Sequence, residues 1–123
     1  MDEQRSVLLL SKDLFFVAKV RSQAEAAGLA TFLVSSAFHE RLTEAVEKRQ
    51  IGILVDLSCV PVAEVPGQVE RLRERFESTP ICAFGPHVLT ARLEAAQAAG
   101  CDEVWSRGQL DRSLASLLET WNS

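Results

Sequence analysis

Short apolar runs alternate along the chain with longer segments in which apolar residues recur every three or four positions. The first run, 7–10, contains no polar residue, as expected of a parallel strand that helices cover on both faces. The longer segments have the period of amphipathic helices. Four further runs follow: 29–34, 52–56, 81–84 and 104–105. The pattern predicts five βα units in one parallel sheet with right-handed crossovers.

Polar and small residues between the runs indicate where the helices begin and end. In the first helix, Asp13 stands at the N-cap position and Gly28 follows the last turn. Leu14 opens the predicted inward stripe, which continues at positions 17, 20, 24 and 27. The helical wheel places Phe16 beside this stripe and directs Phe15 to the opposite face. Phe15 is therefore expected to be an exposed apolar contact.

Four more helices are predicted downstream. The second begins after the turn at Ser35 and Ser36 and stops near Arg49. Its inward residues are Phe38, Leu42, Ala45 and Val46. The third follows a loop with two prolines, the fourth lies between Pro86 and Gly100, and the fifth occupies the C-terminal segment. Their inward residues are Val69, Leu72 and Phe76, then Leu89, Leu93 and Ala96, then Leu110, Leu114, Leu117, Leu118 and Trp121.

These elements predict a three-layer, doubly wound α/β fold of the flavodoxin type, with strand order 2-1-3-4-5. A length of 123 residues suits one hydrophobic core, so a single domain over residues 1–123 is expected. Ligands of such sheets bind outside the carboxyl ends of the strands. Residues expected at that edge include Ser11, Lys12, Asp13, Ser35, Ser36, Asp56, Ser58, Gly85, His87, Ser106 and Arg107.

The composition narrows the class of protein. Hydrophobic residues make up 47% of the chain and charged residues 24%, which is typical of a globular domain. The formal net charge of -4 is spread along the chain, which argues against non-specific binding to nucleic acid or anionic membranes. No apolar run approaches the roughly 20 residues of a membrane span, and the acidic start MDEQRS is unlike a secretory signal. We expect a cytoplasmic protein with neither nucleic-acid nor membrane partners.

The three cysteines, Cys59, Cys82 and Cys101, lie far apart in the sequence. They form no CxxC pair and no Cys/His cluster, so neither a disulfide framework nor a zinc site is predicted. Cys82 lies within a strand and is expected to be an inert core thiol. No histidine is placed to activate a thiol nucleophile. The residues indicate no cofactor.

Two segments resemble the response-regulator receiver family. ILVDLS is similar to the third strand of that family, in which the phospho-accepting aspartate would be Asp56. AAGCDEVWSRG resembles the family's AGADDYLVKP stretch at the fifth strand, and together with AFGPHV it resembles a branch of small, stand-alone receiver-like proteins. The resemblance extends from residue 7 to the last helix. It implies a receiver-like fold and a phosphoacceptor-equivalent position at Asp56.

The positions around this aspartate depart from the family's pattern. A working receiver binds a divalent cation with acidic residues just after the first strand, but here those positions are Ser11 and Lys12, with only Asp13 nearby. The family's hydroxyl residue after the fourth strand falls on Gly85, and its lysine after the fifth strand falls on Arg107. Phosphoryl transfer depends on charge neutralisation by the metal. We therefore predict no metal site and no phosphorylation by the usual magnesium-dependent route.

Several side chains keep two interpretations. Asp56 is either a phosphoacceptor or, as we favour, a strand-end carboxylate paired with Lys12 or Arg107, with Lys12 standing in for the metal. Arg107 either forms that internal ion pair or binds a small anion. His87 either serves acid–base or metal chemistry or, as we favour, is a capping or exposed residue. His39 is interpreted as a surface residue.

Three functions follow from these alternatives. The leading hypothesis is a non-catalytic pseudo-receiver, not an enzyme, that acts through an unidentified protein partner. The resemblance to receivers also implies a homodimer through the fourth helix, fifth strand and fifth helix as a second partner hypothesis, with Arg92, Glu103 and Arg112 in a charged rim. The first alternative is a divergent phosphoacceptor that uses Asp56. The second is a small enzyme or anion-binding domain that uses Arg107 and His87.

Overall fold

One parallel sheet forms the centre of the molecule. The computed structural model describes residues 4–123, so residues 1–3, which begin the predicted non-signal N-terminus, lie outside the described part. The five strands are β1 Arg5–Leu10, β2 Ala30–Val34, β3 Arg49–Asp56, β4 Ile81–Gly85 and β5 Glu103–Ser106. All neighbouring pairs are parallel, and the order is β2-β1-β3-β4-β5. The predicted fold class and strand order are confirmed.

Helices cover both faces of this sheet. They are α1 Leu14–Ala26, α2 Leu42–Val46, α3 Val65–Arg75, α4 Thr90–Ala98 and α5 Arg107–Asn122. Two 3₁₀ turns, Leu57–Cys59 and Val62–Glu64, connect β3 to α3. None of the helices in residues 4–123 is both long and apolar enough to cross a membrane.

The alternation of side chains along the strands divides the core into two layers. Leu8 and Leu10 of β1 pack with α2, α3 and α4 on one face, whereas Val7 and Leu9 pack with α1 and α5 on the other. Successive strand residues point to opposite faces, so a run with no polar position supplies both layers. The continuous run at 7–10 is buried throughout, as predicted.

The two phenylalanines of α1 lie as the helical wheel predicts. Phe16 is buried, and its ring centroid lies 4.7 Å from that of Phe84 in β4. Phe15 is 92% exposed. Leu14 is 76% exposed, so its assignment to the inward stripe is wrong. It stands in the first turn of α1, next to a crevice at the carboxyl edge of the sheet rather than above the strands.

The second predicted helix is wrong in length, because α2 contains five residues only. Before it, the Ser36 hydroxyl accepts a hydrogen bond from the Phe38 amide (3.1 Å), and the His39 ring nitrogen Nδ1 accepts one from the Arg41 amide (3.0 Å). Side chains that bind nearby backbone groups compete with helical hydrogen bonds. The segment therefore forms turns, Phe38 is exposed, and β3 already begins at Arg49.

Arg73 and Asp102 join α3 to the connections before β4 and β5 at the amino-terminal edge of the sheet. The Arg73 guanidinium donates to the carbonyls of Thr79 (3.1 Å) and Gly100 (2.9 Å) and to the Asp102 carboxylate (2.6 Å). The same carboxylate oxygen accepts from the Ile81 amide at 2.8 Å. Burial alone would raise the pKa of Asp102, but the hydrogen bonds from Ile81 and Arg73 outweigh it and lower that pKa below its ordinary value of 3.8.

Asp102→Asn is expected to remove a stabilising contribution that depends on pH. A carboxyl group with a lowered folded-state pKa stabilises the protein above its unfolded pKa, and this contribution is lost as the pH falls through the folded value. Urea denaturation should therefore separate the wild type from Asp102→Asn more at pH 7 than at pH 3. Glu119→Gln on the exposed face of α5 controls for the loss of one negative charge. An equal separation at both pH values would contradict this role for Asp102.

Candidate functional site

Asp56 ends β3 at the carboxyl edge of the sheet and is completely buried. Its neighbours in the sheet are β1 on one side and β4 on the other. The backbone leaves the strand directly into the 3₁₀ turn Leu57–Cys59, which the Asp56 side chain caps. A carboxylate without contact to water needs hydrogen-bond donors from the protein. The identity of these donors decides what the site can do.

Neutral groups supply the donors to both carboxylate oxygens. Oδ1 of Asp56 accepts from the Ser58 amide at 3.0 Å and also from the Ser58 hydroxyl. Oδ2 accepts from the Ser11 hydroxyl at 2.8 Å and contacts the Cys59 sulfur at 3.6 Å. Two hydroxyls, one amide and one thiol therefore surround the carboxylate. Each oxygen has two polar neighbours from this chain.

Ser11 connects this site to the start of α1. Its hydroxyl donates to Asp56 and accepts from the Asp13 amide at 3.1 Å. Asp13 in turn caps α1, with Oδ1 accepting from the amides of Phe15 (3.1 Å) and Phe16 (3.2 Å). The N-cap predicted from the sequence is confirmed. Oδ1 of Asp13 therefore accepts hydrogen bonds from α1 and is not directed at the pocket around Asp56.

The expected ion pair of Asp56 with Lys12 or Arg107 is wrong. Within residues 4–123, no cationic side chain lies within 4.0 Å of the Asp56 carboxylate. Arg107 instead lies 3.5 Å from Asp13 and 3.9 Å from Asp111, with its guanidinium 4.3 Å from the ring centroid of Phe16. Arg107 is the first residue of α5, which packs with α1 on one face of the sheet. The carboxylates near its guanidinium are therefore those at the start of α1 and in α5, namely Asp13 and Asp111.

Lys12 contributes its backbone rather than its charge to the pocket. Its amide donates to the Cys59 sulfur at 3.2 Å, while its side chain is exposed. The Cys59 thiol thus bridges the loop after β1 and the carboxylate of Asp56. The prediction that the Lys12 ammonium replaces the metal is therefore wrong for this structure.

Gly85 ends β4, on the other side of Asp56, and His87 lies in the turn that follows. Gly85 is buried, and a Cβ built on it would lie 3.3 Å from the Cβ of Leu57, tighter than ordinary van der Waals contact. The missing side chain at this position makes room for Leu57. His87 is exposed, and its ring makes no hydrogen bond to any residue in the described range 4–123. The exposure of His87 is what the favoured interpretation of this residue predicts.

Arg92 was expected in a charged rim on α4, but its guanidinium points toward the turn after Asp56. It donates to the carbonyls of Leu57 (2.9 Å) and Ser58 (3.3 Å). Sequence reasoning missed this contact, and also the parts played by Ser58 and Cys59. The Asp-x-Ser spacing of Asp56 and Ser58 was an available signal, since aspartate side chains commonly accept from the amide two residues on. No comparable signal identifies Arg92.

Burial raises the pKa of two of the three thiols. The pKa of Cys82 is raised to about 12, mainly by burial and then by the charge of Glu103. Burial also raises the pKa of Cys101 to about 11, although Arg73 acts in the opposite direction. Thiolates are the reactive form, so neither residue is a nucleophile near neutral pH. Cys82 is the inert core thiol that its strand position predicts.

The residues at this edge do not fit a magnesium ion. Magnesium requires several oxygen ligands in near-octahedral geometry. Both oxygens of Asp56 already accept hydrogen bonds, and Asp13 is divided between the α1 cap and Arg107. Across residues 4–123, no cluster of three or more His, Cys, Asp or Glu side chains could hold a metal ion. The carboxylate oxygens of Asp56, which a metal would need as ligands, are therefore already engaged by donors of the chain.

Comparison with solved structures identifies the fold. A receiver domain of a sensor histidine kinase from Pseudomonas aeruginosa, described with magnesium in its active-site cleft, has a TM-score of 0.74 at 20% identity and covers 98% of both chains. A CheY-like protein from the same organism has a TM-score of 0.77 at 18% identity, covering 96% of this chain and 98% of its own. A chemotaxis response regulator of Vibrio cholerae has a TM-score of 0.73 at 19% identity, with coverages of 96% and 98%.

These likenesses concern the fold. No family model matches the chain, and the search of curated proteins finds no match. The chain has the fold of response-regulator receiver domains over nearly its whole length, as the resemblance of ILVDLS and AAGCDEVWSRG implies.

Proposed function

We propose that this receiver-fold chain is a non-catalytic pseudo-receiver that is not phosphorylated by the magnesium-dependent route and acts through a protein partner. The observation that carries the proposal is the set of neutral donors on Asp56. Its carboxylate receives hydrogen bonds from Ser11 and Ser58 and is in contact with the thiol of Cys59. Each of these groups comes from the chain itself, so the site is complete without a metal or a phosphoryl group.

This donor set disfavours phosphoryl transfer to Asp56. Attack on phosphorus needs one carboxylate oxygen to leave its hydrogen bonds and approach the donor in line. It also needs positive charge to neutralise the phosphoryl oxygens. Here Arg107 is engaged by Asp13 and Asp111, and the Lys12 side chain is exposed at the rim. The transferred group would meet hydroxyls without a cation beside them.

Arg92 extends this arrangement to α4. Because its guanidinium holds the carbonyls of Leu57 and Ser58, the turn that positions the donors to Asp56 is tied to a surface helix. Helix α4 is expected to keep one position relative to the site. A constant surface suits a module that a partner recognises without a phosphorylation signal.

The partner and the compartment are part of the proposal. We infer a protein partner, with a homodimer through α4, β5 and α5 as the second partner hypothesis, and the cytoplasm as the compartment. Glu103 and Arg112 are exposed on that surface. Sedimentation velocity over a range of protein concentrations tests the dimer, and a monomer at every concentration would exclude it.

Incubation with acetyl phosphate and magnesium is expected to leave the intact mass of the protein unchanged. The physical reason is that the hydrogen bonds to Asp56 occupy the oxygens that a phosphoryl group and a metal would use. A chemotaxis receiver treated in parallel shows that the reagent is active. A gain of one phosphoryl group that disappears in Asp56→Asn would overturn the proposal and establish the alternative, a divergent phosphoacceptor.

A further inference from the structure

We propose that a crevice between the carboxyl ends of β1 and β2 binds a small phosphate-bearing molecule with a compact apolar body. The crevice adjoins the Asp56 pocket through Ser11, but the basic groups proposed to bind the ligand make no contact with the Asp56 carboxylate. The crevice has a volume of about 290 Å³. It lies at the edge of the sheet where doubly wound folds bind ligands.

The lining of the crevice combines positive charge with apolar surface. Three basic side chains, Lys12, His39 and Arg41, stand around it, and the apolar contacts come from Leu14, Leu33 and Val34. No Asp or Glu lines it, although the whole chain carries a formal net charge of -4. A local excess of one sign of charge, against the sign of the whole molecule, attracts ions of the opposite sign.

The guanidinium of Arg41 is held in place with one edge available. Its NH1 donates to the Leu33 carbonyl at 3.0 Å, and its plane lies over the Phe32 ring at 4.6 Å from the centroid. Its Nε is 4.0 Å from Glu44, a contact between exposed groups that contributes little. No acceptor within residues 4–123 binds NH2. A held guanidinium loses little further conformational entropy when it binds an anion.

His39 and Lys12 supply the other donors. The His39 Nδ1 accepts from the Arg41 amide at 3.0 Å, so the neutral ring carries its proton on Nε2 and can donate it to a ligand. The backbone amide of His39 donates to the Ser36 carbonyl at 3.1 Å, which holds the turn that carries the ring. The Lys12 ammonium has no carboxylate within 4.0 Å in the described part of the chain.

These donors and the size of the crevice define the ligand. Arginine and lysine bind phosphate oxygens through charge-assisted hydrogen bonds, and a neutral histidine adds a third donor. Leu14, which is 76% exposed, lines the crevice and offers contact to an apolar body beside the phosphate. About 290 Å³ is at the lower end of ligand-pocket volumes. A small phosphate monoester fits this space, whereas a dinucleotide does not.

Titration calorimetry with phenyl phosphate, inorganic phosphate and benzoate tests the proposal. The variant Lys12→Gln/Arg41→Gln removes two of the donors, and Arg21→Gln/Lys48→Gln removes the same charge elsewhere on the exposed surface. Phenyl phosphate is expected to bind one site and to lose at least about tenfold in affinity in the first variant only. In the wild type, the methyl resonances of Leu14 and Leu33 should shift during the titration.

Each comparison can overturn one part of the proposal. No binding of phenyl phosphate, or an equal loss in both double variants, would exclude a specific anion site. Benzoate binding as tightly as phenyl phosphate would exclude phosphate selectivity. Inorganic phosphate binding as tightly as phenyl phosphate would exclude the apolar contact. All four changed side chains are exposed, so circular dichroism should show both variants folded.

Discussion

Gly52→Ala is expected to lower the free energy of unfolding by about 1–3 kcal/mol, because a side chain at this position collides with Trp121. Gly52 lies in β3, where the indole of Trp121 from α5 packs directly against its backbone. A Cβ at residue 52 would fall on the ring carbons Cδ2, Cε3 and Cζ3 of that indole. Either the ring must move out of the core layer formed by α1 and α5, or the strand must shift.

The end of α5 leaves the indole little freedom to move. Arg5 donates to both the backbone carbonyl and the side-chain oxygen of Asn122, each at 3.0 Å. The Asn122 amide nitrogen donates to the carbonyl of Ala27 at 3.1 Å. Moving Trp121 away from β3 therefore strains hydrogen bonds to the beginning of β1 and the end of α1. The loss of unfolding free energy in Gly52→Ala therefore includes the strain on the hydrogen bonds that hold Asn122.

Urea denaturation of a double-mutant cycle measures the effect. In a Trp121→Ala background, Gly52→Ala should cost much less, because the ring that it meets is gone. Gly67→Ala in α3 is the matched control, since its nearest neighbour, the Phe38 ring, is 4.0 Å from the added Cβ. That change should be neutral or stabilise the helix by up to about 1 kcal/mol. A Gly52→Ala protein as stable as the wild type would contradict this packing.

Asp56→Ala is expected to destabilise the protein by about 2–3 kcal/mol, whereas Asp56→Asn should stay within about 1 kcal/mol of the wild type. Alanine leaves the Ser58 amide and the hydroxyls of Ser11 and Ser58 without their common acceptor, and the Ser11 hydroxyl is buried away from water. Asparagine keeps an oxygen for the Ser58 amide. Its NH₂ can donate to the Ser11 oxygen and the Cys59 sulfur, both of which can accept.

The stability of Asp56→Ala also distinguishes two explanations of the buried carboxylate: that it is kept for a metal, or that donors of the chain satisfy it. If Asp56 were an unsatisfied carboxylate kept for a metal, removing its charge would relieve desolvation and stabilise the protein. If its donors satisfy it, removing it leaves them unpaired. Chemical denaturation at pH 7 decides between these outcomes by the sign of the change for Asp56→Ala. A more stable Asp56→Ala protein would contradict the donor set as the main support of this carboxylate.

The basic crevice and the Asp56 pocket share one strand end, because Ser11 and Lys12 both follow β1. The Ser11 hydroxyl donates to Asp56, and both Ser11 and Lys12 line the crevice, where the Lys12 side chain is exposed. The resemblance to receivers assigns both positions to one metal pocket. Here the buried Ser11 hydroxyl binds Asp56, whereas the exposed side chain of Lys12 is available to the basic crevice.

The amino-acid sequence by itself determined the architecture. Continuous apolar runs define parallel strands, and Asp13 and Gly28 stand where a helix begins and ends, because these signals act over a few neighbouring residues. The position of Asp56 at a strand end follows from the same local pattern. The length of α2 was the exception, since Phe38 and Val46 have helical spacing but turn hydrogen bonds to Ser36 and His39 delay the start of the helix to Leu42.

Only the tertiary structure decided which side chains meet. Arg107 binds Asp13 and Asp111 rather than Asp56, and Arg92 turns inward to Leu57. These outcomes depend on the distances and rotamers of side chains on elements far apart in the chain, which local patterns do not encode. Ion pairs form between side chains that are close in the folded structure. Knowing which residues lie at the strand ends therefore does not reveal which of them pair with each other. The folded chain surrounds Asp56 with neutral donors and engages the nearby Arg92 and Arg107 elsewhere.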